Sequence, residues 1–148
     1  MSKSRKLDPV IEMARKATEQ ALISLGESNA LLQRELTQLE ELMQYRNEYL
    51  QRFRQNDPLV MSAKKALELR GFLAQLDQAI QSQEHQVSES RQRVDHQQAD
   101  WIAARNKEQA LDSLMSKYVA DENHKQQRRE QRESDEHTNA NWLRLHRD

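Results

Sequence analysis

Stepping alternately four and three residues from Leu69 lands on Leu69, Leu73, Leu76, Ile80, Gln83, Val87, Ser90, Val94, Gln97, Trp101, Ala104, Glu108, Leu111, Met115 and Tyr118. Eleven of these fifteen positions are apolar, in a chain that is only 36% hydrophobic overall. The same steps taken backwards add Ala66, Ser62 and Leu59. An apolar repeat averaging 3.5 residues specifies a helix with one narrow apolar seam. Such a helix is stable in water only when the seam is buried against something. The fold question is what covers the seam, and the functional question is what stays uncovered.

The rest of the composition agrees with helices and with little else. Two Gly, two Pro and 5% aromatic residues argue against a sheet-based or thick-cored domain. A formal net charge of −1 gives no global field to attract nucleic acid or an anionic membrane. The absence of cysteine excludes disulfides and thiol chemistry. The basic start, Ser2-Lys3-Ser4-Arg5-Lys6, leads into no apolar signal-peptide core. No stretch approaches the roughly 18 apolar residues that a bilayer-spanning helix needs, so a cytosolic location is the expectation.

Asp8-Pro9 and Asp57-Pro58 each offer a carboxylate N-cap followed by a proline at the first helical position. Ser62 is a second candidate cap, which would leave Gln55 to Met61 as a loop. The first helix, from about Pro9 to Arg54, carries a stripe of Leu22, Leu25, Asn29, Leu32, Leu36, Leu39, Met43, Arg46, Leu50 and Phe53. Towards the N-terminus this stripe drifts onto Ala21, Ala17, Ala14, Val10 and Leu7. Gly26 within it costs about 1 kcal/mol of helix propensity relative to alanine. Two long amphipathic helices joined by a short loop fold back on each other. The expected fold is all-α: a long antiparallel two-helix coiled-coil hairpin over residues 1–120 with a turn at about 55–61, then a polar tail over 121–148, helical or disordered.

Folding about residue 56 sets Leu7 opposite the neighbourhood of Asn106. The second seam runs on through Leu111, Leu114, Met115 and Tyr118. At 1.5 Å per residue this arithmetic leaves on the order of 20 Å of apolar stripe without a partner in the chain. An unpartnered stripe marks a surface for another protein, or else a frayed end or self-association. Phe72 widens the apolar face beside Leu73, as extra packing against Arg34 to Met43 or as a side patch for a second protein. Tyr45 and Tyr49 near the turn read as staples or as exposed contacts. The Trp142-Leu143-Arg144-Leu145 cluster reads as a mobile end or a small docking peptide.

Residues suited to chemistry do not converge. The two glycines sit singly within helical patterns, so no loop is built to cradle phosphate. His85, His96, His124, His137 and His146 lack the spacing of metal ligands. Glu40-Glu41 and Asp135-Glu136 read as solvated faces. The one basic cluster, Lys125 to Arg132, is diluted by glutamines and acids and carries no stacking aromatics, which argues against nucleic acid. The sequence predicts no enzyme, no cofactor and no metal.

Two segments carry a family resemblance: Leu42-Met43-Gln44-Tyr45-Arg46-Asn47-Glu48-Tyr49, and Phe72-Leu73 with Leu76, Ala79 and Ile80, followed by Val87, Val94 and Trp101. With the position of the turn and the polar tail, the chain resembles the FliJ family of the bacterial flagellar type III export apparatus. The related stalk proteins of virulence type III secretion systems share the architecture. The resemblance implies a non-enzymatic stalk, similar to the central stalk of rotary ATPases. Such a stalk promotes ring assembly by the export ATPase FliI, touches the export gate FlhA and handles export chaperones. It implies a cytoplasmic protein that meets the membrane only through the gate. It carries the gate contact to Phe72, Leu76, Ala79 and Gln83, and supplies the ATPase ring as partner for Leu111, Leu114, Met115 and Tyr118. The competing reading is a structural coiled coil that dimerises through that same Leu111–Tyr118 stripe.

Overall fold

The computed structural model describes residues 2–55 and 62–147. Among these the regular structure is two helices, α1 (Lys3–Gln55) and α2 (Ala63–Leu145). The Asp57-Pro58 cap and Leu59 of the expected break lie outside the described residues. The alternative cap is present at Ser62, whose Oγ accepts a hydrogen bond from the Lys65 amide at 3.2 Å and whose carbonyl accepts one from Ala66 at 3.1 Å. This satisfies one of the amides that a helix start leaves without an internal partner.

The start of α1 departs from expectation. Ser2, not Asp8, is the cap: its Oγ accepts from the Arg5 amide at 3.3 Å and its carbonyl from Lys6 at 3.2 Å. Pro9 therefore lies inside the helix and supplies no amide to the Arg5 carbonyl. Arg5 is exposed, so water is available to that carbonyl. The helix begins early because the seam continues past Pro9 to Leu7 and Ser4, both partly buried.

Every one of the fifteen α2 seam positions from Leu69 to Tyr118 is buried or half-buried. The α1 seam is stricter and less apolar than the sequence suggests. It runs Ser4, Leu7, Ile11, Ala14, Thr18, Ala21, Leu25, Ser28, Leu32, Glu35, Leu39, Leu42, Arg46, Tyr49 and Phe53, an unbroken alternation of three- and four-residue steps. The expected seam members Val10, Ala17, Leu22, Asn29 and Met43 are exposed instead, Leu22 by 52%. Choosing the more apolar neighbour at each step pulls the stripe sideways. The helix instead keeps its period and accepts serine and glutamate where the facing helix can satisfy them. Gly26 lies in this helix with open space around the position of a side chain.

The chain divides into two compact units, Gln20–Ile102 and Met1–Glu19 with Ala103–Asp148. In the first, Leu76 and Val87 are buried beside the polar Ser28, Gln83 and Ser90. The two helix segments run antiparallel there, with Glu35 against Gln83 and Arg46 against Asp77. In the second, Ile11 and Ala14 are buried, and Arg15 reaches Glu108 and Asp112 at 3.9 and 3.6 Å.

These pairs correct the register. Pairing about residue 56 would set Glu35 against Gln78 and Arg15 against Gln98. Glu35 in fact meets Gln83, and Arg15 meets Glu108 and Asp112. The helices end at Gln55 and begin again at Ala63, so the reflection point lies later than assumed. The whole stripe to Tyr118 consequently has a partner within the chain. Ile11→Ala should lower the unfolding free energy by about 2 kcal/mol, whereas Leu22→Ala should change it by less than about 0.5 kcal/mol. Denaturant titrations of both variants check the seam assignment.

Candidate functional site

Two stretches of surface were candidates, and packing treats them differently. Phe72 is half-buried beneath two tyrosines of α1: its ring lies 6.1 Å from Tyr45 at 77° and 4.5 Å from Tyr49 at 49°. Edge-on and tilted contacts of this kind suit the ring quadrupoles and add about 0.5–1.5 kcal/mol each beyond area burial. Tyr45 keeps 48% of its surface exposed. The tyrosine-rich segment and the Phe72 segment are thus one aromatic cluster, displaced along α1 from the expected Arg34–Met43 packing.

The other residues of the expected gate patch diverge. Leu76 is buried in the seam. Gln83 is 9% exposed, and its amide donates to the Glu35 carboxylate at 2.6 Å and the Glu35 carbonyl at 2.9 Å. Ala79 alone of the four lies fully on the surface. The structure therefore brings Phe72 and Ala79 to the outside edge, with Leu76 and Gln83 beneath. Glu35 was not foreseen from sequence; a glutamine at a seam position was the signal that some facing seam residue had to be polar.

Leu111, Leu114, Met115 and Tyr118 are half-buried, with Met115 beside Ile11 and Tyr118 beside Lys3 of α1. Lys3 Nζ lies 5.6 Å from the centre of the Tyr118 ring, a cation–π contact. One helical turn beyond Tyr118, Glu122 closes the pairing. Its two carboxylate oxygens accept from the Ser4 amide at 3.1 Å and the Ser4 hydroxyl at 2.7 Å. A carboxylate on the free amides of a first helical turn is favoured by hydrogen bonding and by the helix dipole. The Ser4 side-chain and backbone hydrogen bonds, with Lys125 nearby, hold the Glu122 carboxyl below the usual glutamate value of 4.5.

The histidine pairs lie on the surface. His85 meets Glu89 at 3.2 Å and His96 meets Asp100 at 3.5 Å, both one helical turn apart and exposed. Among the described residues no cluster of His, Cys, Asp or Glu is placed to hold a metal ion. A groove of about 380 Å³ in the second unit is lined by Ile11, Met115 and charged side chains including Asp8, Arg15 and Asp112. No helix among the described residues is long and apolar enough to cross a membrane.

A helical hairpin with one narrow seam and long exposed faces belongs to the class of helical interaction proteins. More narrowly, the chain belongs to the FliJ family: the family model described as "Flagellar FliJ protein" matches residues 2–147. The protein is a structural component of the flagellar export apparatus. No curated protein matches the chain.

The lowered Glu122 value has a pH consequence. A carboxyl whose folded value is depressed contributes stability above its unfolded value and loses it as pH falls through the folded one. The Ser4 amide should be protected from hydrogen exchange at pH 6–7. That protection should decay as pH falls below the usual glutamate value of 4.5 and through the lower folded one, and Glu122→Gln should flatten the dependence.

Proposed function

We propose that the protein is a non-enzymatic stalk and adaptor. On this reading it promotes assembly of the export ATPase ring, couples the ring to the export gate and hands over export chaperones. The observation that carries the reading is the family match across residues 2–147, the whole of both helices. The same match favours the flagellar apparatus over a virulence export system. The site of action is the inner face of the cell membrane, reached through the gate.

The gate contact on this reading is the outer edge of the aromatic cluster, Phe72 with Ala79, joined by the exposed part of Tyr45. Leu76 and Gln83 support that edge from below, since both are buried. The ATPase-facing surface is the flank carrying Leu111, Leu114, Met115 and Tyr118. That flank is not an apolar stripe without a partner, since it packs on the start of α1. What supports it now is the family membership and the half-exposed outer edges of these side chains. The reading of a coiled coil that dimerises through this stripe loses its premise in the same way.

Ala79→Glu is the cleaner probe, because Ala79 is exposed while Phe72 stacks on two tyrosines. In pulldowns with the cognate gate and ATPase, Ala79→Glu should keep wild-type helicity and ATPase binding. Gate binding should fall about tenfold or more, since a charge placed in an interface core must be desolvated. Unchanged gate binding would remove Ala79 from the interface, and wild type binding neither partner would remove the stalk role.

A further inference from the structure

The large side chains that the α1 seam leaves out share one face of that helix. Leu22, Asn29, Leu36, Met43 and Leu50 follow one another at seven-residue spacing beside the seam. Next round the helix come Gly26, Gln33, Glu40 and Asn47, and beyond them Ile23, Ala30, Thr37, Gln44 and Gln51. Of these fourteen residues only Glu40 is charged, in a chain that is 32% charged. Leu36 and Leu50 are half-buried and the other twelve are exposed, Leu22 by 52% and Ile23 by 54%. The outer face of a solvated helix is normally charged, so a long exposed sector with one charge is suited to packing on another helix.

Gly26 points to the same face. It costs about 1 kcal/mol of helix propensity relative to alanine, yet its φ is not positive and a side chain there would meet nothing within 4 Å. Nothing inside the chain requires this glycine. A helix lying across it from outside would, because a bare backbone permits close approach.

The middle row of the face is complementary to itself turned end for end. Seven-residue steps carry it from Glu19 through Gly26, Gln33, Glu40 and Asn47 to Arg54. We propose that this face of α1 packs antiparallel on the same face of a second copy of the chain, about a two-fold axis at the level between Leu36 and Thr37. This register sets Glu19 opposite Arg54 of the second copy, Gly26 opposite its Asn47 and Gln33 opposite its Glu40. By two-fold symmetry each pairing occurs twice. The one carboxylate within the face thereby meets an amide donor, and the glycine meets a side chain that needs room. In the flanking rows Ile23 comes to the level of Leu50, Ala30 to that of Met43, and Asn29 to that of Gln44. Glu27, Arg34, Glu41 and Glu48 each follow the middle row by one residue, about 100° round the helix, and stay in solvent. A parallel pairing would instead set Glu19, Glu40 and Arg54 each against its own copy. An anionic membrane or nucleic acid finds no basic cluster on this face. On α1, Tyr45 of the aromatic cluster flanks the seam on its other side, and Leu111 to Tyr118 belong to the other unit. Self-pairing is therefore independent of the stalk reading, which concerns those surfaces.

Sedimentation velocity of the full chain from micromolar to millimolar concentration is the test. Wild type should show a monomer–dimer equilibrium. Gln33→Glu should weaken it about tenfold or more, because it sets a carboxylate against Glu40 twice in each dimer. Adding Glu40→Gln to the same chain exchanges the two partners and should restore the dimer. Glu19→Arg, at the solvated end of the row, should cost about threefold, and adding Arg54→Glu should recover it. Circular dichroism checks that every variant remains helical. A wild type that stays monomeric throughout overturns the proposal. A dimer that Gln33→Glu leaves as strong, or that Glu40→Gln fails to restore, lies on another face and overturns it equally.

Discussion

The hydrogen bonds from Gln83 to Glu35 set the terms for the rest of the hairpin. A narrow apolar seam holds two helices together but discriminates poorly between registers, because a shift of one heptad again places apolar residues opposite each other. A buried amide paired with a half-buried carboxylate is different. Gln83 donates to both the carboxylate and the carbonyl of Glu35, and a slipped register would leave these groups desolvated and unsatisfied, at about 1–3 kcal/mol or more for each group. One heptad away along both helices, Ser28 and Ser90 are also buried, so two successive levels of the seam tolerate polarity. The register that satisfies them also places Phe72 under Tyr45 and Tyr49 and leaves Ala79 outside.

The same logic of local satisfaction operates in the other unit, with different groups. Glu122 binds the first turn of α1 through Ser4, and Arg15 bridges towards Glu108 and Asp112. Surface ion pairs of the second kind contribute little. The carboxylate on the Ser4 amide matters more locally, since it meets a donor that the helix itself cannot satisfy. Together these contacts tie α1 to α2 as far as Glu122, which is why Leu111 to Tyr118 are packed within the chain and why the uncovered length of α2 begins only afterwards.

Much of this was legible in the sequence, for a definite reason. The α2 seam could be read position by position because its polar interruptions were single and its apolar residues large. The α1 seam was harder to read: at Ser28, Glu35 and Thr18 the buried residue is polar, while Leu22, Asn29 and Met43 next to the stripe are exposed. Hydrophobicity alone favours the wrong neighbour there, and only the facing helix reveals the right one. Asp8-Pro9 was a plausible helix start that lost to Ser2, because the seam still had Leu7 and Ser4 to bury. The register depended on the reflection point of the chain, which periodicity does not contain. Of the expected gate patch, Leu76 and Gln83 carried seam spacing and proved buried, and Phe72 and Ala79 lay off the seam.

The register governs both surfaces, and the absence of native cysteine makes it directly testable. A chain carrying Ser28→Cys with Ser90→Cys should oxidise readily to an intrachain disulfide. Disulfides require Cα atoms about 4.4–6.8 Å apart, a distance available only to residues at one level of the seam. Ser28→Cys with His85→Cys, the pair expected from folding about residue 56, should stay reduced under the same conditions. Efficient closure of the second pair and failure of the first would contradict the pairing of Glu35 with Gln83 and the placement of both surfaces that follows from it.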